Sequence, residues 1–133
     1  MSENRQKEIL FVCLENAGLS QMAQSFAEKH GMKSNSAGAL HGSDVNYSII
    51  EAMREKGIDI SSKKPKTLTP DLINQASLIV TIGCSLKSVC PTPILAQMEK
   101  KLVGWELKNP KARSLGRMRE TRDEIERKVL DLL

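Results

Sequence analysis

Aromatic side chains are scarce in this 133-residue chain, which has only Trp105, Tyr47, Phe11 and Phe26. Rings so few and so scattered provide no platform on which the bases of a nucleic acid could stack. Long apolar runs are missing as well. No window approaches the roughly 18 apolar residues of a membrane span, and the polar start from Met1 to Glu8 leads into no run long enough for a secretory signal. A cytoplasmic protein with no membrane partner is expected. Charge of one sign is not concentrated either: 20 Lys and Arg against 16 Asp and Glu leave +4, spread along the chain. So small a surplus bears on solubility, and no nucleic-acid partner is expected from it. Cysteine is limited to Cys13, Cys84 and Cys90, an odd number that cannot form a fully paired framework. In a reducing compartment such thiols are catalytic, metal-binding or simply buried.

The length suits one domain, residues 1–133, burying roughly 68% of its unfolded surface around a single core. Ile9, Leu10, Phe11 and Val12 form a continuous apolar run, which predicts a strand over residues 8–13 covered on both faces. Met22, Ala23, Phe26 and Ala27 recur at helical spacing from about Leu19, with Gly31 as the stop. A short strand is expected over residues 32–36, ending in Ser36-Ala37-Gly38, then an amphipathic helix from Tyr47 to Lys56 with its stop at Gly57. Thr69 caps a further helix that has Pro70 in its first turn. Leu78 to Ile82 is a second fully apolar strand, and Leu102 to Trp105 the last one. From Leu115 to Leu133 a charged helix presents Met118, Ile125, Val129 and Leu132 on one face, with its arginines, Arg122 among them, elsewhere. This alternation predicts an α/β fold: an open parallel sheet of about four strands, helices on both faces, ligands at the strand C-terminal ends.

Cys13 lies at such an end, followed by a short loop, Leu14-Glu15-Asn16-Ala17-Gly18, and then Leu19 and Ser20 at the start of a helix. A loop of this kind aims several backbone N–H groups at one point and adds the positive end of the helix dipole. Thiols at such sites fall from a pKa of about 8.5 to between about 3.5 and 7.5, which makes a nucleophile at neutral pH. Gly18 and Asn16 suit the unusual dihedrals of an inward-turned loop, and Ser20 can donate a hydrogen bond to the sulfur. The plain alternative is a small buried residue after a strand. Cys84 sits just past the end of the second apolar strand, five residues separate it from Cys90, and those two are either a working pair or incidental loop thiols. Neither their spacing nor the positions of His30 and His41 suggest zinc, and no metal or cofactor is expected.

Several of these stretches carry a family likeness: Val12-Cys13, Asn16, Ser20-Gln21-Met22-Ala23, Ser36-Ala37-Gly38, Val45-Asn46, Gly57-Ile58-Asp59-Ile60-Ser61, Pro65-Lys66-Thr67-Leu68-Thr69, Val80-Thr81, and Trp105 with Asn109-Pro110. From about residue 7 onward the chain resembles the low-molecular-weight protein tyrosine phosphatase superfamily, and within it the thiol-dependent arsenate reductases. The resemblance implies a flavodoxin-like fold and attack by the Cys13 thiolate on arsenate or a phosphate-like oxyanion held by residues 14–20. In the reductase branch, two further cysteines, matched here by Cys84 and Cys90, resolve the thiol–arsenate adduct and leave a disulfide for a thioredoxin-type reductant.

Two positions depart from that pattern. Leu19 stands where the family has an arginine, whose guanidinium pairs with two oxygens of the oxyanion, and a leucine donates nothing. Asn109 stands where the family has the aspartate that protonates the leaving oxygen, a step typically contributing about 10²–10⁴-fold, and an amide gives up no proton at neutral pH. Glu106 is a candidate substitute, a solvated surface glutamate the simpler account. The expectation is therefore an arsenate reductase-type protein. The alternatives are a catalytically impaired member acting as a redox-responsive or anion-binding protein, and a low-molecular-weight protein tyrosine phosphatase.

Overall fold

The computed structural model of the protein describes residues 8–13, 18–38, 47–63, 66–82, 96, 101–105, 107 and 115–132. Strand β1, Ile9–Cys13, is buried from end to end, as its unbroken apolar run requires. It is flanked by β2, Ser34–Gly38, and β3, Leu78–Ile82, and β3 by β4, Leu102–Trp105, so the order is β2-β1-β3-β4 with every pairing parallel. This is the open parallel sheet expected from the alternation of elements. β2 begins two residues later than its sequence suggests, and the register explains the shift: Ser34 sits opposite Ile9 and Gly38 opposite Cys13. Beyond β2, the backbone of Gly38 exchanges hydrogen bonds with Lys66 and Leu68 at 2.7 and 2.8 Å, which covers part of the sheet edge.

Alternation along β1 sends Ile9 and Phe11 to one face and Leu10 and Val12 to the other. On the first face lie α1, Leu19–Lys29, α2, Tyr47–Arg54, and α4, Leu115–Leu130; Met22, Phe26, Met53, Ile125 and Val129 fill the space between them and the sheet. The second face is covered by α3, Pro70–Gln75, through Ile73. Helices therefore stand on both faces. Thr69 caps α3 by accepting a hydrogen bond from the Leu72 amide at 3.2 Å. Gly31 and Gly57, at φ of 82° and 77°, occupy the left-handed conformation that ends α1 and α2.

The buried stripe of α4 differs from the one its apolar spacing suggests, because Thr121 and Arg122 belong to it. Arg122 reaches α2, donating to the Ala52 carbonyl at 2.9 Å and to Glu55 at 2.8 Å, while Nε donates to Asp123 at 2.9 Å. Arg119 pairs with both carboxylate oxygens of Glu55, at 3.0 and 2.7 Å. Hydrogen bonds from Arg119, then from Arg122, pull the Glu55 carboxyl down from 4.5 to about 2. A carboxyl lowered on folding stabilises the native state above its unfolded pKa and loses that contribution as pH falls toward its folded one. Glu55→Gln should therefore melt below the wild type by a constant margin at neutral pH, and the margin should close between about pH 4.5 and 2. Thermal midpoints measured against pH check this, and a margin that persists at pH 2 would contradict it.

Candidate active site

Cys13 is the last residue of β1 and is buried, its backbone in register with Gly38 at the C-terminal edge of the sheet. The N-terminus of α1 returns to the same edge. The Gly18 carbonyl accepts the first helical hydrogen bond from the Met22 amide at 2.9 Å, and Gly18, at the N-cap, has no side chain to offer the helix. Its first turn carries no acidic residue, so the positive end of the dipole is not neutralised from within the helix. Ser20, fully buried in that first turn, places Oγ 2.9 Å from Cys13 Sγ. Either atom can donate in that pair; against a thiolate, the hydroxyl is the donor. A strand end, a helix start and one hydroxyl thus converge on the sulfur.

Gly18 also meets a steric limit. Its φ of −168° lies outside the left-handed region that favours glycine. A Cβ at this position would lie 2.0 Å from Cδ1 of Ile49 on α2, so that methyl would have to move. Leu19 is half-buried and packs against the same apolar cluster that contains Ile49.

Sequence reasoning missed a polar seam beside this site. Ser36 on β2, fully buried, donates to Gln24 Oε1 at 2.6 Å and lies 3.4 Å from Gln21 Oε1, while Gln24 reaches Glu28 at 3.3 Å. The one available signal was the run of polar residues, Ser20, Gln21, Gln24 and Ser25, inside a helix whose apolar positions face the core. The seam ties α1 to β2 through side-chain hydrogen bonds. Leu14, Glu15, Asn16 and Ala17, together with Cys84, Cys90, Glu106 and Asn109, lie outside the described residues. Among the described residues no group of three His, Cys, Asp or Glu could hold a metal ion. No helix among them is long and apolar enough to cross a membrane.

Residues 8–133 match the model of the low molecular weight phosphotyrosine protein phosphatase family. The chain belongs to that family. An arsenate reductase of Brevibacillus brevis is 38% identical to it over 92% of this chain and 90% of its own. A solved arsenate reductase in its phosphate-binding state is 30% identical with a TM-score of 0.79, each chain covered to 96%. The thioredoxin-dependent arsenate reductase of Corynebacterium glutamicum is 29% identical with a TM-score of 0.73, over 97% of this chain and 61% of that one. Within the phosphatase family, then, these similarities fall on arsenate reductases.

Proposed function

We propose that this protein is an arsenate reductase-type enzyme that uses the Cys13 thiolate as its nucleophile. The observation carrying this reading is the buried Cys13 Sγ, 2.9 Å from Ser20 Oγ, where β1 ends and α1 begins. The amides of such a loop and the helix dipole suit a tetrahedral oxyanion, and the likeness to a relative in its phosphate-binding state supports the same substrate class. In the first step the thiolate forms an S–As(V) bond and one arsenate oxygen leaves as water, its protons taken from solvent. A second thiolate, from Cys84 or Cys90, then attacks the Cys13 sulfur. An S–S bond forms, the S–As bond breaks, and its electron pair stays on arsenic as arsenite. Two thiols have supplied two electrons, and an external dithiol reductant of the thioredoxin type restores them.

Reduced protein incubated with arsenate and no other reductant should accumulate one disulfide per chain, a loss of two hydrogens in intact mass, with release of one arsenite. Three unmodified thiols after prolonged incubation would sink the reductase reading. A second reading has an observation of its own. Leu19 is anchored in the apolar cluster and supplies no charge to the loop, which favours a member that binds an oxyanion weakly or responds to oxidation without turnover. In that case peroxide, but not arsenate, should produce the disulfide.

A further inference from the structure

We infer that Ile49 is a positioning residue for the Cys13 site: its δ-methyl occupies the space that Gly18 leaves by having no β-carbon, and this interlock fixes where the loop enters α1. The inference deepens the reading of Cys13 as an oxyanion-directed nucleophile and rests on it. A Cβ built on Gly18 would meet Ile49 Cδ1 at 2.0 Å and Cγ1 at 3.4 Å, so a single methyl group makes the steric conflict. Ile49 is buried in the first turn of α2 within the main apolar cluster, so moving that methyl means repacking its neighbours. The far end of α2 is held in turn: Arg122 binds the Ala52 carbonyl at 2.9 Å and Glu55 at 2.8 Å, and Arg119 clamps Glu55. A fixed helix therefore presses one methyl against the last residue of the loop.

Two residues beyond that contact, Ser20 Oγ meets Cys13 Sγ at 2.9 Å, and the Gly18 carbonyl starts the hydrogen-bond ladder of α1. Displacing Gly18 moves both. Leu19 packs against the cluster containing Ile49, so the helix start is held on two successive residues by apolar contact. In a chain without an arginine at position 19, this clasp sets the attitude of the first-turn amides toward whatever sits over the sulfur.

The interlock allows a swap that moves one methyl between the two positions. Gly18→Ala adds the conflicting carbon; Ile49→Val deletes Cδ1 and keeps Cγ1, which at 3.4 Å makes ordinary contact with a new Cβ. Alkylation of Cys13 by iodoacetamide, followed by peptide mapping in the full chain well below the unfolding temperature, reads the site, and added phosphate reads anion protection. Gly18→Ala should change the Cys13 labelling rate and weaken phosphate protection by about tenfold, Ile49→Val by about threefold, and the double variant should return to within about twofold of wild type, a coupling on the scale seen for residues in contact. If the two single effects simply multiply in the double variant, the proposal fails. It also fails if the swap restores thermal stability but not the Cys13 labelling rate, because Ile49 is then packing alone. Should Gly18→Ala not fold, the swap must still fold and match wild type where Ile49→Val does not; a swap that fails to fold overturns the interlock. A wild-type protein whose Cys13 phosphate never protects would remove the oxyanion reading instead, and the labelling rates alone would then decide the interlock.

Discussion

Cys13→Ser is expected to bring arsenate-dependent reductant consumption down to the rate seen with no protein. The reason lies in electron counting more than in geometry. A serine at position 13 would keep an atom at the end of β1, near Ser20, where Cys13 Sγ now lies 2.9 Å from Oγ. An alcohol is a weak nucleophile at neutral pH, and even an oxygen adduct of arsenic could not be resolved by a thiol, because no disulfide can form. The loss should therefore be complete rather than graded. Oxidation of NADPH through a thioredoxin system, started with arsenate, measures it directly. Residual consumption in the variant would transfer the nucleophile to Cys84 or Cys90 and leave Cys13 a buried strand-end residue. Loss in Cys13→Ser together with retained phosphate binding would separate the chemistry from the anion cradle.

What the sequence makes legible here is mostly local. β1 is a continuous apolar run and β3 is one but for Thr81, which suits a sheet covered on both faces, and Thr69-Pro70 and Gly31 mark helix ends through the chemistry of single residues. The strand that ends at Cys13 and the helix that starts at Leu19 are legible for the same reason, each being a contiguous pattern. β2 is less so, because Ser34-Asn35-Ser36 has no strand-like apolar pattern and acquires its extent from pairing with β1. Arg122 reads as a surface charge in its own helix; its burial follows from an α2 carbonyl and carboxylate that sit 70 and 67 residues away in the chain. Gly18 illustrates the limit most clearly. Its type suggests a dihedral requirement, and the structure adds the methyl of Ile49 on α2, a close approach that no spacing along the chain encodes. Ser36 with Gln24, a pair 12 residues apart across α1 and β2, is hidden in the same way.

Leu19→Arg is expected to tighten phosphate and arsenate binding by about two to four orders of magnitude. A guanidinium at the start of α1 would supply two charge-assisted hydrogen bonds to a bound oxyanion, each contributing roughly 1.5–3 kcal/mol. The substitution also takes something away. Leu19 packs against the cluster of Phe11, Met22 and Ile49, and a fully buried leucine contributes about 1.5–3 kcal/mol, so a half-buried one contributes less. Part of that loss is offset because an arginine stem can lie along the same apolar surface while its head reaches the anion. The free variant should therefore melt lower than wild type, and the same high phosphate concentration should raise its midpoint by more than it raises that of wild type, since ligand stabilisation grows with the logarithm of concentration over dissociation constant. Calorimetric titration and melting with and without phosphate read the two effects separately. An unchanged dissociation constant would remove residue 19 from the anion site and with it the assignment of residues 14–20 as the oxyanion loop. A tighter site with no gain in arsenate-driven disulfide formation would locate the impairment after binding, in the protonation of the leaving oxygen or at the resolving thiols.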